Sequence, residues 1–185
     1  MIQHGRQRRN QRFLSALMGT IVALCSLTFA GCFGNSSAKV IHGVMGEKVI
    51  VEGASYNVLG ADWVDSLGEG ATARIPTHDF LLLRIAATNE SAAPVDMALL
   101  KLIGEDGTEY GELGNGVNVR EWLGLARSLD PKESRQGVVL FDAPKAVYKL
   151  QVADAFYDGE SGTAALIHIP IRPTGPEPAV SGAIP

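Results

Sequence analysis

The sequence has very little cysteine. Its 185 residues include only two, Cys25 and Cys32, and both lie close to the N-terminus. A chain without thiols cannot form a disulfide, a thiolate metal site or a cysteine nucleophile. A domain that folds after Cys32 therefore depends on packing and hydrogen bonding for its stability.

Positive charge is also scarce beyond the N-terminus. The chain has 16 Lys and Arg against 20 Asp and Glu. Residues 1–31 contain four of the cations, Arg6, Arg8, Arg9 and Arg12, and no acidic residue, so their removal leaves 12 cations against 20 acids, a formal net charge of −8. Nucleic-acid binding needs a clustered basic patch, and none is visible. The composition argues against a nucleic-acid partner.

An uncharged apolar run follows the basic start. Residues 13–30 read FLSALMGTIVALCSLTFA. A basic segment followed by such a run is typical of an export signal. An uncleaved transmembrane helix is the alternative, because about 18 apolar residues can span a bilayer. Both interpretations place the rest of the chain outside the cytoplasm.

The end of the apolar run resembles the lipobox of bacterial lipoproteins. It reads Phe29-Ala30-Gly31-Cys32, with Phe29 where Leu, Val or Ile is usual. Small side chains let the signal peptidase approach the backbone closely, and a thiol can form a thioether with diacylglycerol. The resemblance implies a signal peptide over 1–31, cleavage after Gly31 and lipid on Cys32. Two acyl chains hold a protein stably on a membrane.

The expected location is therefore the cell envelope, anchored to a membrane and facing away from the cytoplasm. If the source has two membranes, Phe33 in place of an inner-membrane retention Asp favours the outer one. An unmodified Cys32 at the end of an uncleaved helix is the alternative.

The remaining chain divides into three parts. Residues 32–38 are small and polar, as in a lipid-anchored linker. Residues 39–172 have the length of one domain. Residues 173–185, PTGPEPAVSGAIP, contain four prolines and no apolar periodicity, which predicts a disordered tail.

Apolar residues in the domain alternate with period two, which is typical of half-buried strands. Turn-forming residues separate short strands, and no helix is long enough for a parallel crossover. These features predict an all-β fold, an antiparallel immunoglobulin-like β-sandwich of about seven strands, with an open barrel as the alternative. The predicted strands are 47–52, 54–63, 81–88, 95–103, 134–142, 148–152 and 163–171.

Three of these segments carry finer expectations. The inward set changes register within 95–103, which predicts a bulge near Ala98. Residues 137–141 are apolar on both faces, which predicts a central strand with Phe141 as a core anchor. Residues 119–127 are expected to form a short helix or turn that packs Trp122 and Leu125 inward.

The chain from Phe80 to Asp154 also resembles a bacterial domain of unknown function with a telokin-like, immunoglobulin-type fold that is common in lipoproteins. Three segments carry the likeness: FLLLRIAATNES, ALLKLIGEDGTEY and LDPKESRQGVVLFDAPKAVYKLQVAD. The resemblance implies a β-sandwich outside the cytoplasm. It supplies no catalytic residue.

Motifs for chemistry are absent. His42, His78 and His168 stand alone, without H-x-H or H-E-x-x-H spacing, and no G-x-S-x-G elbow presents a serine. The acidic turns 154–160 and 105–109 lack the spacing of an EF-hand loop, so a solvated turn is preferred over calcium binding. We expect no catalytic residue, no metal and no cofactor.

Two tryptophans are the candidate binding residues. Trp63 and Trp122 lie in the least strand-like regions, where exposed aromatics make favourable contacts; the alternative is that both fill the core. The sequence thus predicts a non-enzymatic, lipid-anchored module that binds an envelope protein or component. The alternatives are a structural or assembly accessory and a hydrolase with an unrecognised site.

Overall fold

The computed structural model describes residues 37–171. The predicted signal peptide, Gly31, Cys32 and the predicted tail 173–185 lie outside the described residues. Within the described range, no helix combines the length and apolar character needed to cross a membrane.

Eleven strands and one 3₁₀ turn (Gly70–Thr72) form the described chain. The strands are β1 (Lys39–Val44), β2 (Lys48–Val51), β3 (Ala54–Val64), β4 (Asp79–Asn89), β5 (Val95–Asp96), β6 (Lys101–Gly104), β7 (Glu109–Gly111), β8 (Ser128–Leu129), β9 (Ser134–Ala143), β10 (Tyr148–Ala153) and β11 (Thr163–Ile169).

The strands form two main sheets, and the predicted all-β sandwich is confirmed. One sheet has the order β1-β11-β10-β6-β7 and the other has the order β2-β3-β4-β9, while β5 pairs with β8 apart from both. The strand number exceeds the seven or so predicted. Strand β1 was missed because most of its residues are exposed and give little alternation. It pairs with β11 in parallel, whereas the other strand pairs of the main sheets are antiparallel.

The core lies between the two sheets. Leu81, Leu83 and Ile85 of β4 alternate inward and meet Leu150 and other inward residues of the opposite sheet. Phe141 is fully buried among them, as predicted. A smaller apolar cluster of Leu67, Phe80 and Leu140 covers part of the outer face of the four-stranded sheet.

The prediction of a central strand over 137–141 is wrong, because β9 is the edge of its sheet. Its outer edge is nevertheless covered. The N–H of Val138 donates to the Glu121 carbonyl at 2.8 Å, and the N–H groups of Leu123 and Leu113 donate to the carbonyls of Val138 and Leu140. A covered edge is protected from pairing with another chain. The outward face of β9 packs against loop residues, since Leu140 clusters with Leu67 and Leu113.

Two local predictions also fail. Residues 95–103 are not one bulged strand, because the chain leaves β5, crosses over 97–100 and enters β6 in a different sheet. Of the short helix or turn expected over 119–127, the turn is present at 120–121, but Leu125 is exposed where inward packing was expected. In 95–103 the sequence pattern shows which positions are apolar. It does not show that the chain passes from one sheet to another.

Candidate functional site

An open groove of about 1020 Å³ lies beside the end of β10 in the five-stranded sheet. We call it the Phe156 groove. It is lined by Glu52, residues 94–99, Lys101, Glu109, Gln151 and residues 153–159.

The floor of the groove is the end of β10. Strand β10 pairs with β6 only as far as Gln151 opposite Lys101, whereas its pairing with β11 continues to Ala153. Because Val152 points into the core, alternation turns Gln151 and Ala153 to the outer face. Strand β10 therefore presents its last two residues without β6 beside them.

One wall is the loop that follows β10. The Asp154 carboxylate accepts hydrogen bonds from the N–H groups of Phe156, at 2.9 Å, and Thr163, at 2.6 Å. The Asp158 carboxylate accepts from the N–H groups of Ser161 and Glu160, and these bonds hold its pKa below the usual range. The acidic turn thus binds its own backbone, and this fixes the loop that displays Phe156.

A second part of the lining comes from the crossing segment 97–100, which a buried ion pair holds. Arg127 Nη2 lies 2.7 Å from Glu112 Oε1 and donates to the Ala98 carbonyl at 3.1 Å. The same carboxylate oxygen of Glu112 accepts from the N–H of Leu100. The two side chains are 0% and 2% exposed. Arg127 and Glu112 thereby clamp both ends of the crossing segment.

The surface of the groove combines apolar and acidic groups. Phe156 is 75% exposed and Leu99 is 63% exposed, although both are large apolar side chains. Asp96 and Glu52 are exposed as well. The lining holds five carboxylates, Glu52, Asp96, Glu109, Asp154 and Asp158, against the single cation Lys101.

The N-terminal segment enters the domain beside this groove. The N–H of Ala38 donates to the carbonyl of Glu160 at 2.7 Å, and the N–H of Lys39 donates to that of Gly162 at 2.9 Å. The same loop therefore carries Phe156 and receives the start of the domain.

The two predicted binding residues lie elsewhere and are not brought together. Trp63 is half-buried, packs against the core, and has its ring 6.2 Å from that of Tyr148. Trp122 is half-buried beside β9, where Gly116 packs so closely that an added Cβ would lie 1.9 Å from the indole. Trp63 pairs with inward Leu81 and Trp122 with outward Val138, so the indoles face opposite sides of the four-stranded sheet.

A second group of polar and aromatic side chains lies near Trp63. His78 Nδ1 is 3.3 Å from Asp142 Oδ1, and the His78 ring contacts Tyr110 edge-on at 6.3 Å between centroids. Tyr110 in turn meets Tyr148. Burial, followed by the neighbouring Tyr110, raises the pKa of Tyr148 to about 12. The Tyr148 hydroxyl donates a hydrogen bond to the Pro144 carbonyl, so Tyr148, with Tyr110 packed against it, is fixed at this end of the core.

Other predicted features are dispersed. His168 is exposed on β11, as expected from its alternation. Over residues 37–171, no three His, Cys, Asp or Glu side chains are grouped so that they could hold a metal ion. Sequence reasoning missed Leu99 and Phe156. The sequence shows turn-forming residues around Phe156, but only the structure shows that the Phe156 side chain is exposed.

Three solved bacterial structures share this fold. No protein-family model matches the sequence, and no curated protein matches it. The chain is similar to the yjhA protein of Bacillus subtilis, with 15% identity and a TM-score of 0.54 over 69% of this chain and 99% of that one. A functionally unknown protein of Listeria monocytogenes has 12% identity and a TM-score of 0.51 over 70% of this chain and 84% of its own.

The third is ycdA of Bacillus subtilis, described as a candidate lipoprotein. It has 12% identity and a TM-score of 0.50 over 67% of this chain and 38% of its own. At such identities the likeness establishes a common β-sandwich fold.

Proposed function

We propose that the protein is a lipid-anchored, non-enzymatic module of the cell envelope that faces away from the cytoplasm and binds a protein partner through the Phe156 groove. The observation that carries the proposal is the exposure of Phe156 and Leu99, 75% and 63%, in the lining of one groove. Large apolar side chains grouped on a surface favour an interaction site, and aromatic residues are frequent anchors in interfaces.

The anchoring part of the proposal is supported by the sequence of the N-terminus. The basic start, the uncharged run and Ala30-Gly31-Cys32 together resemble a lipoprotein signal. The fold shared with the candidate lipoprotein ycdA is compatible with the same location. The non-enzymatic part is supported by the absence of a nucleophile elbow and of metal-binding spacing in the sequence.

Anchoring would place the groove near the bilayer. Five residues lie between Cys32 and Ala38, and the six residue-to-residue steps that join them span at most about 20 Å when fully extended. Ala38 is hydrogen-bonded to the loop that carries Phe156. A lipid on Cys32 would therefore hold the groove within reach of partners at the membrane surface.

The groove is tested by photo-crosslinking in cells. We expect a photoreactive phenylalanine at position 156 to form a discrete covalent adduct with one envelope protein. The matched control is the same residue at Ile75, which is 74% exposed and does not line the groove. No adduct from position 156, or the same adducts from both positions, would refute binding through the groove.

The anchor is tested by metabolic labelling with a palmitate analogue. We expect label on the wild type and on Cys25→Ala, because Cys25 lies inside the apolar run that would be removed. Cys32→Ala should carry no label. Equal labelling of Cys32→Ala and the wild type would contradict lipidation at Cys32.

A further inference from the structure

We infer that the partner segment bound in the Phe156 groove is a cationic apolar peptide, in which Lys or Arg residues flank an aromatic or aliphatic side chain; this inference rests on the proposed function and specifies its ligand. The groove presents two requirements at once. Its carboxylates call for positive charge, and Phe156 and Leu99 call for apolar contact.

The charge requirement follows from the ion pairs. Lys101 is the only cation in the lining, and its Nζ is 2.8 Å from Glu109 Oε2. Among the described residues, no cation pairs with the other four lining carboxylates, which are Glu52, Asp96, Asp154 and Asp158. A concave surface lined by one sign of charge attracts the opposite sign. The field of the groove therefore favours a cation.

Two of the five lining carboxylates are fixed in position by the loop backbone. Asp154 and Asp158 are held by hydrogen bonds from the loop backbone. Carboxylates that are already ordered lose little conformational freedom when a Lys or Arg side chain approaches. The loop is thus prepared to receive a cation beside Phe156.

The apolar requirement excludes simpler ligands. A purely polar cation would leave Phe156 and Leu99 in water and lose the contribution of their burial. A neutral apolar segment would remove carboxylates from water without pairing them, which is costly. Anionic partners, including nucleic acid and anionic lipid headgroups, would meet like charge. A cationic apolar peptide satisfies both walls of the groove.

Strand β10 adds a reason to expect a peptide. Its last two residues continue beyond its pairing with β6, and a strand without a neighbour can accept an extended segment. The groove runs beside this free stretch and has a volume of about 1020 Å³. This volume is comparable to that of pockets that hold ligands of drug size, so the groove has room for several side chains.

The test uses the full chain in phosphatidylcholine nanodiscs and fluorescence anisotropy of two labelled peptides. One peptide alternates Lys with Phe and Leu, and the other has Glu at each Lys position. We expect the Lys peptide to bind at least about tenfold more tightly than the Glu peptide, because charge complementarity sets specificity. Raising the salt from about 0.05 M to about 0.5 M should weaken binding several-fold through screening.

Two variants address the two requirements separately. Phe156→Ser should weaken the Lys peptide about tenfold, as expected for an aromatic anchor, and its matched control is Ile75→Ser. The double variant Glu52→Gln with Asp96→Asn should weaken it about threefold to tenfold, since each exposed charge pair contributes modestly. Its control is Asp62→Asn with Glu69→Gln, two exposed acids outside the groove.

Equal binding of both peptides, or unaltered binding by the double variant, would overturn the cationic ligand. Equal signals from empty nanodiscs would show binding to lipid and would overturn it as well. Failure of both peptides to bind would also overturn the inference, while the crosslink from position 156 in cells would still decide the proposed function independently.

Discussion

Removal of the cation from the buried Arg127–Glu112 pair should lower the free energy of unfolding by a measurable amount. Arg127→Met removes the cation but retains much of the side-chain volume. It leaves the Glu112 carboxylate, 2% exposed, without its partner, and the Ala98 carbonyl without a donor. Breaking a buried pair on one side costs about 3–5 kcal/mol. We expect the free energy of unfolding to fall by that amount, which is a large fraction of the roughly 5–15 kcal/mol typical of a domain.

The measurement is urea unfolding at pH 7, followed by tryptophan fluorescence. The matched control is Arg135→Met, because the Arg135–Glu133 pair has the same 2.7 Å separation but its side chains are 39% and 32% exposed. That control should cost less than about 1 kcal/mol. Charge type and distance are equal in the two pairs, so the comparison reports burial together with the hydrogen bond from Arg127 to the Ala98 carbonyl.

A double variant sharpens the test. Glu112→Gln keeps an oxygen that can accept from the Leu100 N–H but removes the stranded charge. Combined with Arg127→Met, it should recover about 1–3 kcal/mol relative to the sum of the single changes. If Arg127→Met destabilises no more than Arg135→Met, or if the two changes at the pair are additive, the buried pair does not clamp segment 97–100 as argued.

Three further outcomes are expected. Phe141→Ala should lower the free energy of unfolding by about 3–5 kcal/mol in urea titration, because the ring is fully buried; an unchanged melting temperature would contradict its place in the core. Gly137→Ala should cost about 1–3 kcal/mol and speed exchange of the Leu123 amide proton, because the new Cβ would lie 2.5 Å from the Glu121 carbonyl oxygen. Asp142→Asn should cost about 1 kcal/mol at pH 7, and this difference should shrink as the pH falls below about 4.

The direction of the pH effect follows from the surroundings of Asp142. Burial raises the pKa of its carboxyl, but the backbone N–H groups of Thr77 and His78 and the His78 side chain outweigh burial and hold the pKa below its usual range. A carboxyl with a depressed folded-state pKa stabilises the fold above its unfolded pKa and loses that contribution as the pH falls through the folded value. Melting curves of the wild type and Asp142→Asn that stay parallel down to pH 3 would show that Asp142 does not contribute in this way.

The sandwich could be predicted because the buried residues of its strands alternate with other residues along the sequence. Strands β3, β4, β9, β10 and β11 place apolar residues at every second position facing one core. Such a pattern is visible in the sequence without knowledge of neighbours. For strand β9 the sequence pattern is not sufficient. Its two apolar faces were visible, but they did not reveal whether a strand or a loop covers its outer edge.

The candidate site was not predictable for a related reason. Its two walls depend on contacts between residues distant in sequence, such as Arg127 with Ala98, 29 positions away. The run of apolar residues over 97–100 looked like a bulged strand because alternation cannot show that a buried cation binds its carbonyl. Trp63 and Trp122 are candidates because their regions look least strand-like, yet Trp63 lies within β3 and both are half-buried. Phe156 instead gains its exposure from a loop whose carboxylates bind their own backbone.

The same contacts connect the architecture of the groove to its proposed role. A surface phenylalanine on a loose loop would lose conformational entropy on binding, and ordering such a side chain costs roughly 0.5–1.5 kcal/mol. Here Asp154 fixes the loop from one side of the groove, and Arg127 with Glu112 fixes the facing segment from within the core. A buried ion pair usually contributes little net stability compared with an apolar substitute. We therefore infer that the role of this pair is to hold the segment that carries Leu99 in the lining of the groove. An apolar double replacement such as Arg127→Met with Glu112→Leu should therefore preserve folding while weakening the Lys peptide in the anisotropy assay. Retention of full peptide affinity by a folded double variant would show that the groove does not depend on this pair.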